Sequence, residues 1–348
     1  MKRIRISLVL STLVAGWCPS LAKAADYDVS LPVAVRDNTT TNVVVTVREN
    51  PRNRRCLGRT LLTVPGLSHT AATWNPLIDQ LFSSGSNRLL CRVASVDLPG
   101  HGKSGLPQGA FYGSLTIDDY VTAVAGALDG LNARRIHPTA IVGHSMGGLI
   151  VEGLQAKLLS QHSSLAIRYG IFLAAVMSPA GSREQPWTFG DSGQGAQAIV
   201  PFIVQDPVEG PVIRPDAVTW DYFFFSNFAQ QLSPGTPTPE QVVSKGYIAD
   251  EAFAAAAELE GVPPVQRLSV GTTPFAIRHG TVLLYINPSQ DFINLRAEAQ
   301  AGYLQLTGDQ SMRGFIPVDD DFAVHDMFVA QPVLFLQKIG ASLWSNLW

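Results

Sequence analysis

The chain has 348 residues, of which 46% are hydrophobic and 15% are charged, and its formal net charge at pH 7 is -3. This composition favours a folded protein with a well-filled core and excludes a disordered chain. The weakly negative charge argues against nucleic acid as a partner.

The N-terminal residues 1–24 have the three parts of a secretory signal peptide. A basic start (Lys2, Arg3 and Arg5) precedes an apolar stretch over 6–17, and small residues flank a cleavage position after Ala24. The apolar stretch is short for a membrane span, so we expect an exported, periplasmic or secreted protein without a stable membrane anchor. A retained anchor is the alternative. Cleavage would remove four basic residues and no acidic ones, which makes the formal charge -7.

Two cysteines remain after cleavage, Cys56 and Cys91, and each precedes an apolar run that predicts a strand. Export would place both in an oxidising compartment, where disulfides persist. If 59–64 and 92–96 are neighbouring parallel strands, both sulfurs lie at the same end of the sheet, and we expect a disulfide between them. Two buried free thiols are the alternative.

The first mature segment, over 27–48, alternates apolar and polar residues on both sides of a polar turn at 36–40, which predicts two paired strands. From there on, apolar runs typical of strands alternate with loops and helical patterns. Predicted strands lie over 61–64, 93–97, 281–286 and 314–318, and predicted helices over 74–82, 117–131, 252–259 and 329–348. This alternation indicates a mainly parallel sheet with helices on both faces.

The stretch 140–149 combines the end of an apolar strand, the pentapeptide Gly143-His144-Ser145-Met146-Gly147 and the start of a helix. A serine at such a corner is held in a strained conformation that exposes its hydroxyl, and the flanking glycines are needed because the turn is tight. The free N–H groups of the following helix would favour an oxyanion beside the serine. We interpret the pentapeptide as a nucleophile elbow; an ordinary glycine-rich turn is the alternative.

Four stretches together resemble the α/β-hydrolase family: 65–67 with Trp74 after it, 97–104, 143–147, and a late Asp291 and His325. The resemblance covers nearly the whole mature chain apart from roughly 182–274. It implies an α/β-hydrolase fold, with an eight-stranded, mostly parallel sheet and helices on both faces. It also implies Ser, then Asp or Glu, then His in chain order at the carboxyl edge of the sheet. We therefore expect a core domain over 25–181 and 275–348 that is interrupted by a lid insertion over 182–274.

That chain order leaves three histidines as candidates for the base: His162, His279 and His325. The pattern places His162 at the end of the helix after the elbow and His279 before a strand, at the wrong end of the sheet. His325 follows a short strand and a polar loop, where it could reach Ser145, so we predict it as the base.

For the acid, Asp291 follows a predicted strand in the position that the family uses. A buried carboxylate there would fix the tautomer of His325 and stabilise its protonated form. Four other acids compete for this role: Glu184, Asp319, Asp320 and Asp321.

The resemblance implies an oxyanion hole formed by the backbone N–H groups of Leu67 and Met146. Pro65 departs from the usual histidine of that loop. We further predict that His69 and His144, with the lid aromatics Trp220 and Phe224, line the substrate pocket. The aromatics could instead pack the lid against the core.

A serine nucleophile excludes the alkyl-ester chemistry of dehalogenases and epoxide hydrolases, which need a carboxylate. We expect a serine hydrolase that cleaves a carboxylic ester of a small to medium apolar substrate. A lactonase or amidase with the same triad is the alternative, and a non-catalytic ligand-binding module is a third reading. No cofactor and no metal ion are predicted, the partner is a small-molecule ester or lactone, and the oligomeric state is left open.

Overall fold

The computed structural model describes residues 26–36, 38–52, 59–83, 90–160, 167, 169–175, 203–217, 237–260, 282–291, 296–308, 310–320 and 323–337. The predicted signal peptide and Cys56 lie outside these residues. Cys91 is buried inside a strand rather than before one, and the disulfide stays a prediction.

The strands are β1 (Asp26–Arg36), β2 (Thr39–Glu49), β3 (Arg59–Val64), β4 (Leu90–Val96), β5 (Pro138–His144), β6 (Tyr169–Leu173), β7 (Ile203–Asp206), β8 (Gly210–Ile213), β9 (Glu251–Ala252), β10 (Val282–Pro288) and β11 (Phe315–Val318). The α-helices are α1 (Asn75–Ser83), α2 (Ile117–Ala133), α3 (Met146–Ser160), α4 (Pro239–Ser244), α5 (Phe253–Glu260), α6 (Arg296–Thr307) and α7 (Met327–Ala330). Short 3-10 helices cover Ala71–Trp74 and Tyr112–Ser114. None of the helices in the described ranges is long and apolar enough to span a membrane.

The main sheet has eight strands in the order β1-β2-β4-β3-β5-β6-β10-β11. β1 pairs with β2 and β2 with β4 in antiparallel fashion, and every other neighbouring pair is parallel. The predicted strand pair at the start of the chain and the parallel pairing of β3 with β4 are both confirmed. Because the parallel strands run in one direction, the loops after β3, β5, β10 and β11 meet at one edge.

The burial of the strands explains their sequence patterns. β1 is the edge strand, and its inward side chains alternate with exposed ones. β5 is at the centre of the sheet and is buried almost throughout, so its middle residues 140–142 are all apolar. α2 begins with a capping box in which Thr116 and Asp119 bond each other's backbone N–H groups.

The predicted insertion contains a second sheet, with three antiparallel strands in the order β7-β8-β9. The sequence predicted one helix here, and the structure has it as α5. The sheet was not predicted, because its strands are short and β8 pairs with a partner nearly forty residues away.

The predicted C-terminal helix is not continuous. α7 ends at Ala330, Gln331 has φ -141° and ψ 62°, and a helix resumes over 332–337. Pro332 explains the break, because proline forces the preceding residue out of the helical conformation and has no N–H to continue the hydrogen-bond ladder.

Candidate active site

Ser145 lies between β5 and α3 with φ 50°, in the left-handed region that non-glycine residues rarely adopt. The flanking glycines are required by contact: a Cβ on Gly143 would lie 2.3 Å from the Gly147 oxygen, and one on Gly147 would lie 2.5 Å from the Val64 oxygen. The strand, the strained serine and the helix therefore have the geometry of a nucleophile elbow.

The loop after β3 lies directly against this elbow. A Cβ on Gly66 would come within 2.9 Å of both the Ser145 Cβ and the His144 Nδ1. Next to this contact, the N–H groups of Leu67 and Met146 donate no hydrogen bond to any residue that the structure describes. Met146 begins α3, where the geometry of a helix leaves the first N–H groups without an internal acceptor. Both predicted oxyanion donors are thus free to bind an added oxygen.

His325 and Asp291 are brought together at the same edge of the sheet. The His325 Nδ1 lies 3.0 Å from the Asp291 Oδ1, and both side chains are fully buried. The loops that carry them are joined by a 2.9 Å hydrogen bond from the Gln290 N–H to the Ala323 oxygen. The His325 ring lies 4.7 Å from the ring of His144, which immediately precedes the serine.

The surroundings of His325 favour its protonated form. Burial alone would lower its pKa, but the charge and hydrogen bond of Asp291, with a further contribution from Asp326, raise the pKa of His325 above its ordinary 6.5. An imidazole with this balance takes up a proton readily, as a general base must.

The competing acids are not equivalent to Asp291. The side chain of Asp319 is 70% exposed and pairs with Arg296. Asp320 is partly exposed, and its backbone oxygen accepts a hydrogen bond from the Ser289 hydroxyl. Glu184 and Asp321 lie outside the described residues. Of the acids that the structure describes, Asp291 is the one whose carboxylate contacts the His325 ring through Nδ1.

A second group of buried polar side chains, which the sequence did not predict, lies behind the elbow. The carboxylate of Asp326 lies 2.8 Å from the His69 Nε2 and 3.2 Å from the His144 Nε2, and all three side chains are fully buried. The other ring nitrogen of His69 lies 2.6 Å from the Leu67 oxygen. One feature of the sequence pointed to this group, namely that Asp326 is an acid directly after the predicted base. The sequence does not show that His69 lies beside this acid.

The pKa values of His144 and Asp326 are both lowered, but for different reasons. Burial lowers the pKa of His144 to about 3, so this imidazole stays neutral near pH 7. Burial alone would raise the pKa of Asp326, but His69 and His144 hold it well below its usual range. Asp326 is therefore a buried anion.

Three side chains in the described part of the chain lie close enough together to hold a metal ion, and they are the same three residues. Their possible ligand atoms all lie within 4.8 Å of one another. The direct 2.8 Å hydrogen bond between His69 and Asp326 gives the carboxylate a partner without an ion. The group is therefore a hydrogen-bonded pair of His69 and Asp326 with the His144 ring 3.2 Å from the same carboxylate.

The predicted pocket residues are only partly described. His69 and His144 are fully buried and lie beside the Asp326 carboxylate, and their contact with a substrate stays a prediction. Trp220 and Phe224 lie outside the described residues, so their place in the pocket stays a prediction.

The sheet order and the loop-borne serine, acid and histidine define the class of the protein as an α/β hydrolase. Residues 61–329 match the model of the α/β hydrolase family, and the chain belongs to that family. Family membership supports a hydrolase as the class of enzyme. No curated protein matches the chain significantly.

Solved structures with the same fold are distant in sequence. The 2-hydroxy-6-oxo-6-phenylhexa-2,4-dienoate hydrolase of Rhodococcus sp. strain RHA1 is 15% identical with a TM-score of 0.60, over 93% of this chain and 99% of that one. An esterase from Rhodococcus sp. ECU1013 is 16% identical with a TM-score of 0.58, over the same shares. The enol-lactonase of Burkholderia xenovorans LB400 is 18% identical with a TM-score of 0.55, over 90% of this chain and 100% of that one. At these identities the similarity shows the fold alone.

Proposed function

We propose that this protein is a serine hydrolase that cleaves a carboxylic ester of a small to medium apolar substrate through an acyl-enzyme intermediate. One observation carries the proposal: Ser145 stands on a strained elbow, and the ring of His325, which is paired with Asp291, lies 4.7 Å from the ring of the preceding His144. A nucleophile, a base and an acid that orients the base, in this relation, are the parts that acyl transfer needs.

In the first half of the reaction, the Ser145 hydroxyl attacks the carbonyl carbon while the His325 Nε2 takes its proton. Asp291 accepts a hydrogen bond from Nδ1, which leaves Nε2 unprotonated and available as the base. The carbonyl oxygen becomes an oxyanion that accepts hydrogen bonds from the N–H groups of Leu67 and Met146. Each such donor lowers the barrier by about 3 to 4 kcal/mol in a site that excludes water.

The tetrahedral intermediate then collapses. The bond to the alkoxy group breaks, and His325 returns its proton to the leaving oxygen, which departs as an alcohol. Water repeats the attack on the acyl carbon with His325 again as the base, so the acid is released and Ser145 is regenerated.

The fold neighbours support an ester or a lactone as the substrate, since they include proteins described as esterases and an enol-lactonase. We propose a lid over 182–274 whose shape selects the substrate, because the same catalytic residues act on linear esters and lactones alike. The sequence of 1–24 supports export to the periplasm or the medium.

The proposal is tested by labelling and by substrate profiling of the purified mature protein. A fluorophosphonate should add to one residue, and mass spectrometry of the digest should place the adduct on Ser145. A panel of p-nitrophenyl esters of increasing acyl length, lactones and anilides should show the highest kcat/KM for an apolar ester.

Heat-denatured protein is the control for the labelling, because it keeps the serine but loses the site. No adduct on Ser145 together with no turnover of any ester, lactone or anilide would favour a non-catalytic binding module. Turnover of lactones or anilides above esters would correct the substrate class and leave the mechanism in place.

The protonation of His325 predicts the pH dependence of the reaction. The base must be neutral, and its pKa is raised above 6.5 in the folded protein. We expect kcat/KM to be low in acid and to increase with pH through an apparent pKa above 6.5. His144 titrates near pH 3 and should add no step in this range.

The measurement is kcat/KM for one uncharged ester between pH 5 and 9 at constant ionic strength. Circular dichroism over the same range is the control that the protein stays folded. An acidic limb with its midpoint below 6.5 would contradict the assignment of the base.

A further inference from the structure

The peptide between Leu67 and Ser68 is held at both of its polar atoms. The Leu67 oxygen lies 2.6 Å from the His69 Nδ1, and the Ser68 N–H donates to the Glu251 Oε2 at 2.9 Å. Ser68 itself has φ 58°, a conformation that a non-glycine residue keeps only where its surroundings impose it. The N–H of Leu67, on the preceding peptide, is the predicted oxyanion donor.

On the N–H side, Glu251 is fully buried and belongs to β9, in the insertion. Its Oε2 also lies 3.2 Å from the His101 Nε2, and its Oε1 accepts a 2.6 Å hydrogen bond from the Tyr120 hydroxyl. The other ring nitrogen of His101 lies 3.1 Å from the Pro99 oxygen. Because both ring nitrogens face acceptors, His101 carries a proton on each and forms a buried ion pair with Glu251.

The pKa directions agree with this ion pair. Burial alone would raise the pKa of Glu251, but His101, Ser68 and Tyr120 lower it. Burial alone would lower the pKa of His101, but Glu251 raises it. Both shifts favour the charged forms of the two groups.

On the carbonyl side, His69 connects the same peptide to Asp326. Its Nδ1 faces the Leu67 oxygen and its Nε2 lies 2.8 Å from the Asp326 Oδ2. Both contacts of His69 are short enough to be hydrogen bonds. Asp326 immediately follows His325, so this contact connects the oxyanion loop to the loop of the base.

The insertion also pairs with the oxyanion loop through its backbone. The Ala249 N–H donates to the Ser68 oxygen at 2.9 Å, and the Thr70 N–H donates to the Tyr247 oxygen at 3.0 Å. The segment 246–251 therefore runs beside the loop and delivers Glu251 to it.

We propose that Glu251 and Asp326 are positioning residues of the oxyanion hole, which hold the Leu67–Ser68 peptide from opposite sides and so aim the Leu67 N–H at the developing oxyanion. Neither residue touches the substrate in this role. The inference rests on the proposed serine hydrolase function, because an oxyanion hole serves only a reaction that forms an oxyanion. The insertion is then part of the catalytic machinery as well as a cover over it.

Glu251→Gln is the main test, since Glu251 bonds Ser68, His101 and Tyr120, and its replacement leaves the Asp291 partner of His325 in place. A glutamine can still accept from Tyr120, but its amide group presents N–H to Ser68 and His101, which are themselves donors. We expect kcat to fall by about 100- to 1,000-fold, as on loss of one oxyanion donor, with KM nearly unchanged. The affinity for a trifluoromethyl ketone, which forms a tetrahedral adduct with the serine, should fall by a similar factor.

Glu258→Gln is the matched control. Glu258 is a half-buried carboxylate of the same insertion, and it accepts a 2.7 Å hydrogen bond from the Ile117 N–H at the start of α2 instead of an N–H of the oxyanion loop. Its replacement should leave kcat and the ketone affinity unchanged. A merely structural role of Glu251 would lower the melting temperature of Glu251→Gln without changing its kcat or its ketone affinity.

Tyr120→Phe extends the test if Glu251→Gln does not fold. It removes one hydrogen bond from Glu251 and keeps the ion pair with His101, so we expect a fall of about tenfold in kcat and in ketone affinity. Wild-type values in a folded Glu251→Gln or Tyr120→Phe variant, or an increase in KM alone, would overturn the proposal. If wild-type protein hydrolyses no ester and its Ser145 is not labelled, the proposed function fails first.

Discussion

Ser145→Ala is expected to abolish turnover while the fold remains intact. In the proposed mechanism the Ser145 hydroxyl forms the acyl-enzyme, and loss of the nucleophile of a serine triad costs about a million-fold in kcat. Alanine is small enough for the tight turn between β5 and α3, so the melting temperature should stay close to that of the wild type. The measurement is kcat for the best ester of the panel, with labelling by the fluorophosphonate as a second readout.

Ser83→Ala is the matched control, because Ser83 is an exposed serine at the end of α1. It should retain wild-type activity and labelling at Ser145. If Ser145→Ala retained a tenth of the wild-type rate, another nucleophile would have to do the chemistry and the assignment would be wrong.

Asp291→Asn is the prediction with the next largest effect. Asparagine places an amide where the carboxylate faces the His325 Nδ1. The ring is then no longer held in its orientation, and the tautomer with an unprotonated Nε2 is no longer favoured. We expect kcat to fall by about 10⁴-fold. The acidic limb of the pH profile should also move to lower pH, because the main interaction that raises the pKa of His325 is removed.

The control for this variant is Asp319→Asn, which removes an exposed carboxylate close to His325 in sequence. Its loss should change kcat less than threefold, since a surface ion pair contributes little. A large loss in Asp319→Asn and a small one in Asp291→Asn would show that the acid was placed wrongly.

Local sequence patterns were sufficient for most of the main sheet. The alternation of β1, the apolar run of β5 and the turn residues around Ser145 are decided by neighbouring residues, and the structure has these elements where the patterns predict them. The predicted C-terminal helix shows the limit of periodicity, because its apolar spacing continues through Gln331 although Pro332 interrupts the backbone ladder.

By itself, the sequence determined the elbow and the succession of strands and helices, and its resemblance to the α/β-hydrolase family implied the chain order from which Asp291 and His325 were predicted. Only the tertiary structure decided which buried polar groups meet. Ser68 and Glu251 are 183 residues apart, and His69 and Asp326 are 257 residues apart, yet each pair is in direct contact. No local pattern encodes such contacts, because the sheet order and the insertion bring loops together that are distant in sequence. Once these loops are buried, each charged group needs a partner among its new neighbours.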